Sequence, residues 1–360
     1  KANMPFCFEG EVKFMPDVNK AVLGAVFAVT VSELSSLVIM GVVYLVHRKR
    51  NCLPKSRLQR EDLRPIGGRV FALAVPVALG AFVMQLSQVI DSVMVVNLLT
   101  VPNATEMYGL WTGPVNSMLG LPIALSGGVS ALPGITKAYV SGDEKRLAAS
   151  FNTAIKLTLV IALPCAFGMI ALSGPILRLL YGGLPADEIY VASVMLSLSG
   201  MSIVFLAVLG TCVSVCQAVN KPYASVVIVA LAIVVKAVAN LILLPDPKVN
   251  VYGAAISETL CYLFATVCVI MYLRRSVGLR VDGNACVVKP LAAGMLMTLV
   301  ITLAVAFASG VVETTLGTLA LIAVCAAVYL GALWLLKTFD RTELGILSVR
   351  KQKNDTYSKI

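Results

Sequence analysis

The feature that most constrains this chain is its succession of apolar segments long enough to cross a membrane. From Tyr223 to Leu244 the sequence is almost entirely Val, Ala, Leu and Ile. As a helix rising about 1.5 Å per residue, such a segment spans a hydrocarbon layer about 30 Å thick. Hydrophobic residues make up 58% of the chain, charged residues only 13%, and the mean hydropathy is +0.89. These values lie outside the range of globular proteins and predict an all-α, polytopic helical membrane protein.

Nine apolar segments of this kind follow one another along the chain, and we predict that all nine are transmembrane helices. Their bounds are 19–46, 70–97, 113–136, 147–172, 186–217, 223–244, 251–273, 288–309 and 315–336.

The distribution of basic residues predicts the orientation of these helices. Of the 29 Lys and Arg residues, 22 lie in one set of alternate connections and two in the other. Because Lys and Arg stay in cytoplasmic loops, we predict an external N-terminal loop (1–18), a basic cytoplasmic linker (47–69) and a cytoplasmic tail (337–360) in the plasma membrane. The net charge of +10 follows from this topology, so we predict no nucleic-acid partner. Trp111 and Trp334 lie near helix ends, as interfacial aromatic residues do.

Two lysines fall deep inside predicted helices. Lys236 precedes Asn240 by one helical turn, and Lys156 follows Asn152 by one turn. A charge at the centre of a bilayer costs about 2.5–3.5 kcal/mol, so each lysine is expected to face protein or a wet cavity. We predict that the two polar stripes line one substrate cavity. The alternative is that each lysine extends to the interface or pairs with Glu258 to hold the bundle together.

Three acidic residues, Glu258, Glu33 and Asp91, also lie in apolar segments. Carboxylates inside membranes commonly bind a proton or Na⁺, so these residues are candidates for ion coupling or for pairing with the lysines. Asp91 lies toward the outer end of its helix, where we expect it to be solvated at the rim.

Neutral polar residues provide further cavity candidates. Gln85 and Gln88 lie one turn apart, and Asn116 lies in the next predicted helix. All three suit contacts with sugar hydroxyls, although hydrogen bonds between helices explain them equally well.

A short repeat indicates a duplicated bundle. Residues 26–33 read VFAVTVSE and residues 251–258 read VYGAAISE, and each copy runs into Tyr-Leu and a basic cluster. Both helices are predicted to run inward, so the repeat is parallel. Chance similarity between two apolar helices is the alternative.

The sequence contains few motifs that are typical of enzymes. The single histidine, His47, lies in the basic linker, so a His-based triad or a multi-His metal site is excluded. Cys212 and Cys216 share a helical face but have no second pair at metal-ligand spacing, so they indicate packing. We predict a protein that is not an enzyme and has no metal or cofactor. A membrane-embedded glycosyl- or acyltransferase is the alternative, and it requires an essential acid or histidine near a membrane face.

Several phrases together resemble the multidrug/oligosaccharidyl-lipid/polysaccharide (MOP) flippase superfamily, in the branch of stage V sporulation protein B and MurJ-type lipid II flippases. They are QVID at 88–91, LP at 132–133, GPIL at 174–177, LYG at 180–182, QAVNKP at 217–222, Lys236 with Asn240, and VYGAA at 251–255.

The resemblance implies two six-helix lobes followed by two more helices. On this basis 19–46 is the last helix of a truncated N-terminal lobe, 70–273 is a complete C-terminal lobe, and 288–336 holds the additional pair. Five helices are then expected ahead of Lys1, and the chain is expected to be a fragment or a processed product.

The resemblance also implies a function. Such flippases move a polyprenyl-pyrophosphate-linked saccharide, such as a peptidoglycan or polysaccharide precursor, by alternating access among membrane lipids. Cations are expected to bind the pyrophosphate. MurJ-type flippases carry a cavity arginine near the outer start of the helix at 113–136, whereas this chain offers only Asn116, which favours the sporulation branch or another lipid-linked saccharide. The alternative is a cation-coupled multidrug or metabolite exporter of the same superfamily.

Overall fold

The computed structural model describes residues 18–50, 60–99, 103–127, 132–307, 314–336 and 338. Within these ranges the regular secondary structure is entirely helical. The chain divides into two compact units, Lys1–Gly68 and Arg69–Ile360. The prediction of an all-α polytopic membrane protein is therefore confirmed.

Thirteen α-helices and two π-helical segments follow one another along the described ranges. They are α1 (Val18–Arg50), α2 (Arg60–Leu98), α3 (Ala104–Leu110), π1 (Trp111–Val115), α4 (Asn116–Gly127), α5 (Leu132–Val140), α6 (Glu144–Ala171), α7 (Ser173–Leu180), α8 (Ala186–Ser199), α9 (Ser202–Ala218), α10 (Pro222–Leu243), α11 (Tyr252–Val277), π2 (Gly283–Val288), α12 (Lys289–Phe307) and α13 (Thr315–Leu335).

Helix α1 belongs to the first unit. Its residues from Phe27 to Val46 form an apolar stretch whose side chains are all exposed within that unit. An exposed apolar surface around a whole helix is typical of a segment surrounded by lipid or by other membrane helices.

Seven described helices are long and apolar enough to cross a membrane, and α8 with α9, bent by 46°, forms an eighth span if the pair is counted as one. The predicted count of nine is thus not confirmed. The segment predicted over 113–136 is divided into π1, α4 and α5, with residues 128–131 outside the described ranges. Pro114 and Pro122 lie inside it, and each removes a backbone donor from the helical ladder. The lobe repeat also stays a prediction.

The core of the second unit lies where α6, α9 and α11 pack together. Small side chains are buried at the contacts, among them Ala162, Cys212 and Ala265. Hydroxyl groups join the helices: Thr158 and Thr211 lie 2.7 Å apart, and Thr266 donates to the Phe205 carbonyl at 2.8 Å. Close packing and interhelical hydrogen bonds stabilise helix contacts in lipid, because burial of apolar surface adds little stability there.

Helices α12 and α13 pack on the outer side of α6. The Tyr329 hydroxyl on α13 donates to the Val160 carbonyl on α6 at 3.0 Å. On α12, Gly294 approaches the Phe167 ring so closely that an added Cβ would lie 2.6 Å from it. These contacts form a second apolar cluster beside the main core.

The helix ends of the second unit are fixed by local chemistry. The Asp143 side chain accepts the Arg146 amide at 3.0 Å and so caps α6, and Pro222 begins α10 where its missing N–H costs nothing. Gly278 ends α11 in the left-handed conformation, with φ of 75°. The Lys221 ammonium donates to the Ser276 carbonyl at 3.1 Å, which ties the start of α10 to the end of α11.

Candidate functional site

A cavity of about 370 Å³ lies in the second unit between α2, the α3–π1–α4 segment, α9, α10 and α11. Polar, charged and aromatic side chains make up most of its wall. The described residues that line it are Met84, Gln85, Ser87, Gln88, Asp91, Tyr108, Trp111, Thr112, Asn116, Leu119, Gly120, Ser202, Leu206, Lys236, Glu258 and Tyr262.

Lys236 forms the centre of a charged cluster in this wall. Its ammonium donates to Asp91 of α2 at 2.5 Å and also to Glu258 of α11. A third, longer contact of 3.3 Å reaches the Ser87 hydroxyl. The side chains of Lys236, Asp91 and Glu258 are 4%, 7% and 11% exposed, so two ion pairs are formed away from bulk water. One lysine thereby connects three helices.

Asn240 lies behind the charged cluster rather than in the cavity wall. Its amide donates to the second oxygen of Asp91 at 3.0 Å, and its own oxygen accepts from the Ser257 hydroxyl at 2.5 Å. Asn240 and Ser257 are completely buried. The amide thus orients the Asp91 carboxylate, because each carboxylate oxygen has a donor of its own.

The three charged residues lie at a common depth in the helix bundle. Asp91 and Lys236 are each seven residues from the end of α2 and α10, and Glu258 is six residues after the start of α11. At about 1.5 Å per residue these positions are about 10 Å from the helix ends. The expectation that Asp91 is solvated at the outer rim is wrong, because Lys236 and Asn240 cover it and leave it buried.

The π-helical segment π1 shapes the opposite wall. The backbone N–H of Asn116 donates to the Trp111 carbonyl, which is the wider i→i+5 pattern. Pro114 inside the segment has no backbone N–H to donate. The Thr112 hydroxyl donates to the Tyr108 carbonyl at 3.0 Å. This local widening brings Trp111 and Thr112 to the same cavity as Asn116. Such π-bulges are frequent at functional sites.

Gln85, Gln88 and Asn116 all line the cavity. None of these three side chains is hydrogen-bonded to another residue that the structure describes. The backbone carbonyl of Gln88 accepts from the Tyr108 hydroxyl at 3.4 Å, which links α2 to α3. The amide groups therefore face the cavity with their donors and acceptors available to a ligand.

The structure places the second predicted stripe elsewhere. Asn152 of α6 donates to the Arg280 carbonyl at 3.1 Å and accepts from the Asp282 amide at 2.8 Å, so it fastens the connection after α11. Lys156 is buried on α6 and does not line the cavity that contains Lys236. The two stripes do not meet in this cavity, because Asn152 of α6 faces the connection between α11 and π2. A role of Lys156 and Asn152 in substrate binding stays a prediction.

Glu33 lies on α1 in the first unit, where its side chain is exposed. No contact among the described residues of that unit tests its predicted role in ion coupling, which stays a prediction.

Sequence reasoning missed several residues of the cavity wall. Tyr108 and Tyr262 gave no signal, and Trp111 was predicted to be interfacial, whereas it is 4% exposed and lines the cavity. Trp334, by contrast, is 80% exposed near the end of α13. Ser87 was detectable, because it lies four residues before Asp91 on the same helical face.

Comparison with protein families gives one match over most of the chain. The family model "Lipid II flippase MurJ" matches residues 14–327. A curated relative, the lipid II flippase MurJ of Bacillus subtilis (strain 168), is 25% identical over 175 residues, which are 48% of this chain and 32% of the relative. The aligned part thus spans about a third of that relative's length.

Two solved structures have a similar fold. A lipid II flippase MurJ in an inward closed conformation gives a TM-score of 0.56 at 21% identity, with 70% of this chain and 51% of that chain covered. An outward-facing multidrug resistance transporter of the MATE family, from the MOP superfamily, gives 0.51 at 15% identity, with 74% and 64% covered. The predicted superfamily is confirmed, while the sporulation branch stays a prediction.

Proposed function

Because the chain belongs to the lipid II flippase MurJ family, we propose that it moves a lipid-linked saccharide precursor across the plasma membrane. The substrate class is a saccharide joined through pyrophosphate to a polyprenyl chain, as in precursors of peptidoglycan or of another cell-wall polysaccharide. Transport proceeds by alternating access of a polar cavity to the two membrane faces, and no bond of the substrate is broken.

The observation that carries this proposal is the polar cavity among apolar helices. Amide, hydroxyl and charged groups of α2, π1, α4, α10 and α11 converge on about 370 Å³ of space in a bundle whose outer surface is apolar. Polar groups at membrane depth are costly, and they are commonly found where a substrate or ion passes.

The charged cluster suits a coupling role in the same cycle. With both carboxylates ionised, Asp91, Glu258 and Lys236 together carry one net negative charge in a buried setting. A proton or Na⁺ bound at Asp91 removes that charge and weakens the ion pair between α2 and α10, and one bound at Glu258 weakens the pair between α10 and α11. We therefore include proton or Na⁺ coupling at Asp91 and Glu258 in the proposal.

A second candidate function is export of an organic cation. Two carboxylates and three aromatic side chains in one cavity wall also suit a cationic drug or metabolite, since aromatic rings attract cations. An organic cation that is transported while a lipid-linked saccharide is not would favour this candidate.

The proposal is tested by transport in liposomes that contain the purified protein and a fluorescent lipid-linked disaccharide. The change is Lys236→Glu, which places a third negative charge in the cluster, and we expect it to abolish most of the movement between leaflets. Lys145→Glu is the matched control, because Lys145 is exposed at the start of α6. Movement is measured as loss of fluorescence to a quencher that does not cross the membrane.

Lys145→Glu is expected to transport as the unaltered protein does. Undiminished transport by Lys236→Glu, or no transport by the unaltered protein, would count against the proposal.

A further inference from the structure

The wall of the cavity distinguishes among the chemical parts of a lipid-linked saccharide. Such a substrate has an anionic pyrophosphate, a neutral polar saccharide and an apolar chain, and each part requires different partners.

The charged residues do not suit the pyrophosphate. Among the described residues that line the cavity, Lys236 is the one basic side chain, and both Asp91 and Glu258 already accept from its ammonium. The cluster has an excess of one negative charge when both carboxylates are ionised. A pyrophosphate at this position would be repelled by the two carboxylates and would have no unpaired cation to bind.

The neutral residues suit a saccharide. The amides of Gln85, Gln88 and Asn116 each offer donors and an acceptor, and none is hydrogen-bonded to another described residue. Sugar hydroxyl and acetamido groups are also neutral, and they both donate and accept hydrogen bonds. They can therefore pair with these amides without leaving a charge unpaired. A charged group of either sign would leave half of these donors and acceptors without a partner.

The aromatic residues supply the remaining contact. Tyr108, Trp111 and Tyr262 lie in the wall around the amides. A pyranose ring is apolar on its C–H face and polar at its edge, so it packs on an aromatic ring while its hydroxyls bond to neighbouring amides. Tyr and Trp combine a large apolar area with a polar group, as such contacts require.

We infer that this cavity binds the sugar moiety of the transported molecule and not its pyrophosphate, with Gln88 and Asn116 as hydrogen-bonding residues and Tyr108, which is only partly buried, as the packing surface. This inference rests on the proposed function, since it names the part of the substrate that the site takes. It assigns Lys236 to holding the wall together through its ion pairs. The pyrophosphate is bound by groups outside this wall.

The experiment uses Trp111 as the reporter, because the chain has only two tryptophans. In a Trp334→Phe background the emission comes from Trp111 alone. The purified protein in detergent is titrated with a disaccharide of N-acetylglucosamine, with inorganic pyrophosphate and with tetraphenylphosphonium. We expect a saturable change with the disaccharide and no change with pyrophosphate.

Gln88→Leu is expected to weaken the disaccharide affinity about tenfold, which corresponds to one or two lost hydrogen bonds. Gln217→Leu is the matched control, because Gln217 lies outside this cavity in an apolar pocket between α2, α9 and α10. Asn116→Ala is a second test with the same expectation, and helical content measured by circular dichroism confirms that each variant is folded.

Three results would overturn the inference: a saturable change with pyrophosphate, a change with tetraphenylphosphonium that the disaccharide does not displace, or equal losses in Gln88→Leu and Gln217→Leu. The liposome assay keeps the two proposals apart. Disaccharide binding without lipid transport overturns only the proposed function, and lipid transport without a response of Trp111 overturns only the inference.

Discussion

Lys236 shows how one residue can stabilise the bundle and place a charge in it. A lysine in lipid is costly, but here two carboxylates and a serine surround the ammonium. In a buried pair the loss of water is offset only while every charge keeps its partner. Removing the lysine therefore leaves two carboxylates close together with no cation between them.

We predict that Lys236→Met lowers the free energy of unfolding by about 3–5 kcal/mol, because it leaves buried charges unpaired. The triple variant Lys236→Met, Asp91→Asn, Glu258→Gln is expected to recover most of this loss, since it removes all three charges. Unfolding in mixed detergent and denaturant measures both, and Lys145→Met at an exposed position is expected to change little. A triple variant that is no more stable than Lys236→Met would contradict the ion-pair explanation.

At the scale of elements, α12 is positioned on α6 by the absence of a side chain. A Cβ on Gly294 would lie 2.6 Å from the Phe167 ring, which is closer than real contacts allow. The two helices can keep their present separation only because this residue is glycine. Small residues commonly allow such close approach between helices in membranes.

We predict that Gly294→Ala destabilises the protein by about 1–3 kcal/mol, because the Phe167 ring must shift to accept the methyl group. Gly331→Ala on α13 is the matched control, since a Cβ there meets nothing within 4 Å. That control is expected to be neutral or to stabilise by up to about 1 kcal/mol through helix propensity. Thermal unfolding in detergent compares the two, and equal destabilisation of both would show that Phe167 is not the cause.

Another element, the α3–π1–α4 segment, explains why the single span predicted over 113–136 is not found as one α-helix. Pro114 and Pro122 have no amide hydrogen to donate, and the helix changes from α to π and back to α between Ala104 and Gly127. Hydropathy detects the apolar character of such a segment, but it does not detect where missing amide donors change the helical pitch.

At the scale of the whole molecule, the asymmetry of basic residues predicts an orientation in the membrane. The turn between α5 and α6 is flanked by Lys137, Lys145 and Arg146, whereas the connection between α10 and α11 contains Lys248 as its one basic residue. Because Lys and Arg are retained on the cytoplasmic side, the first connection is proposed to be cytoplasmic and the second external.

We predict that alkaline phosphatase fused after Gly142 is inactive and that the same enzyme fused after Val249 is active, because alkaline phosphatase folds only outside the cytoplasm. Activity in intact cells measures the side of each junction. A reporter that folds only in the cytoplasm should give the opposite pattern, and active phosphatase at Gly142 would reverse the proposed orientation.

The sequence alone determined the class of fold, the approximate position of most helices and the identity of the charged residues near the cavity. These results follow from the length of apolar segments and from the cost of burying charge, both of which are local properties of the chain. The sequence also allowed the pairing of Lys236 with Glu258 as an alternative to a cavity role, since a buried lysine requires a partner.

Only the tertiary structure decided which polar residues meet. Lys156 and Asn152 have the same spacing as Lys236 and Asn240, yet Asn152 faces the connection after α11. Trp111 and Thr112 line the cavity beside Asn116, where π1 widens the helix. Spacing along a helix defines a face, but the neighbour of that face depends on how distant segments pack, and periodicity does not contain that information.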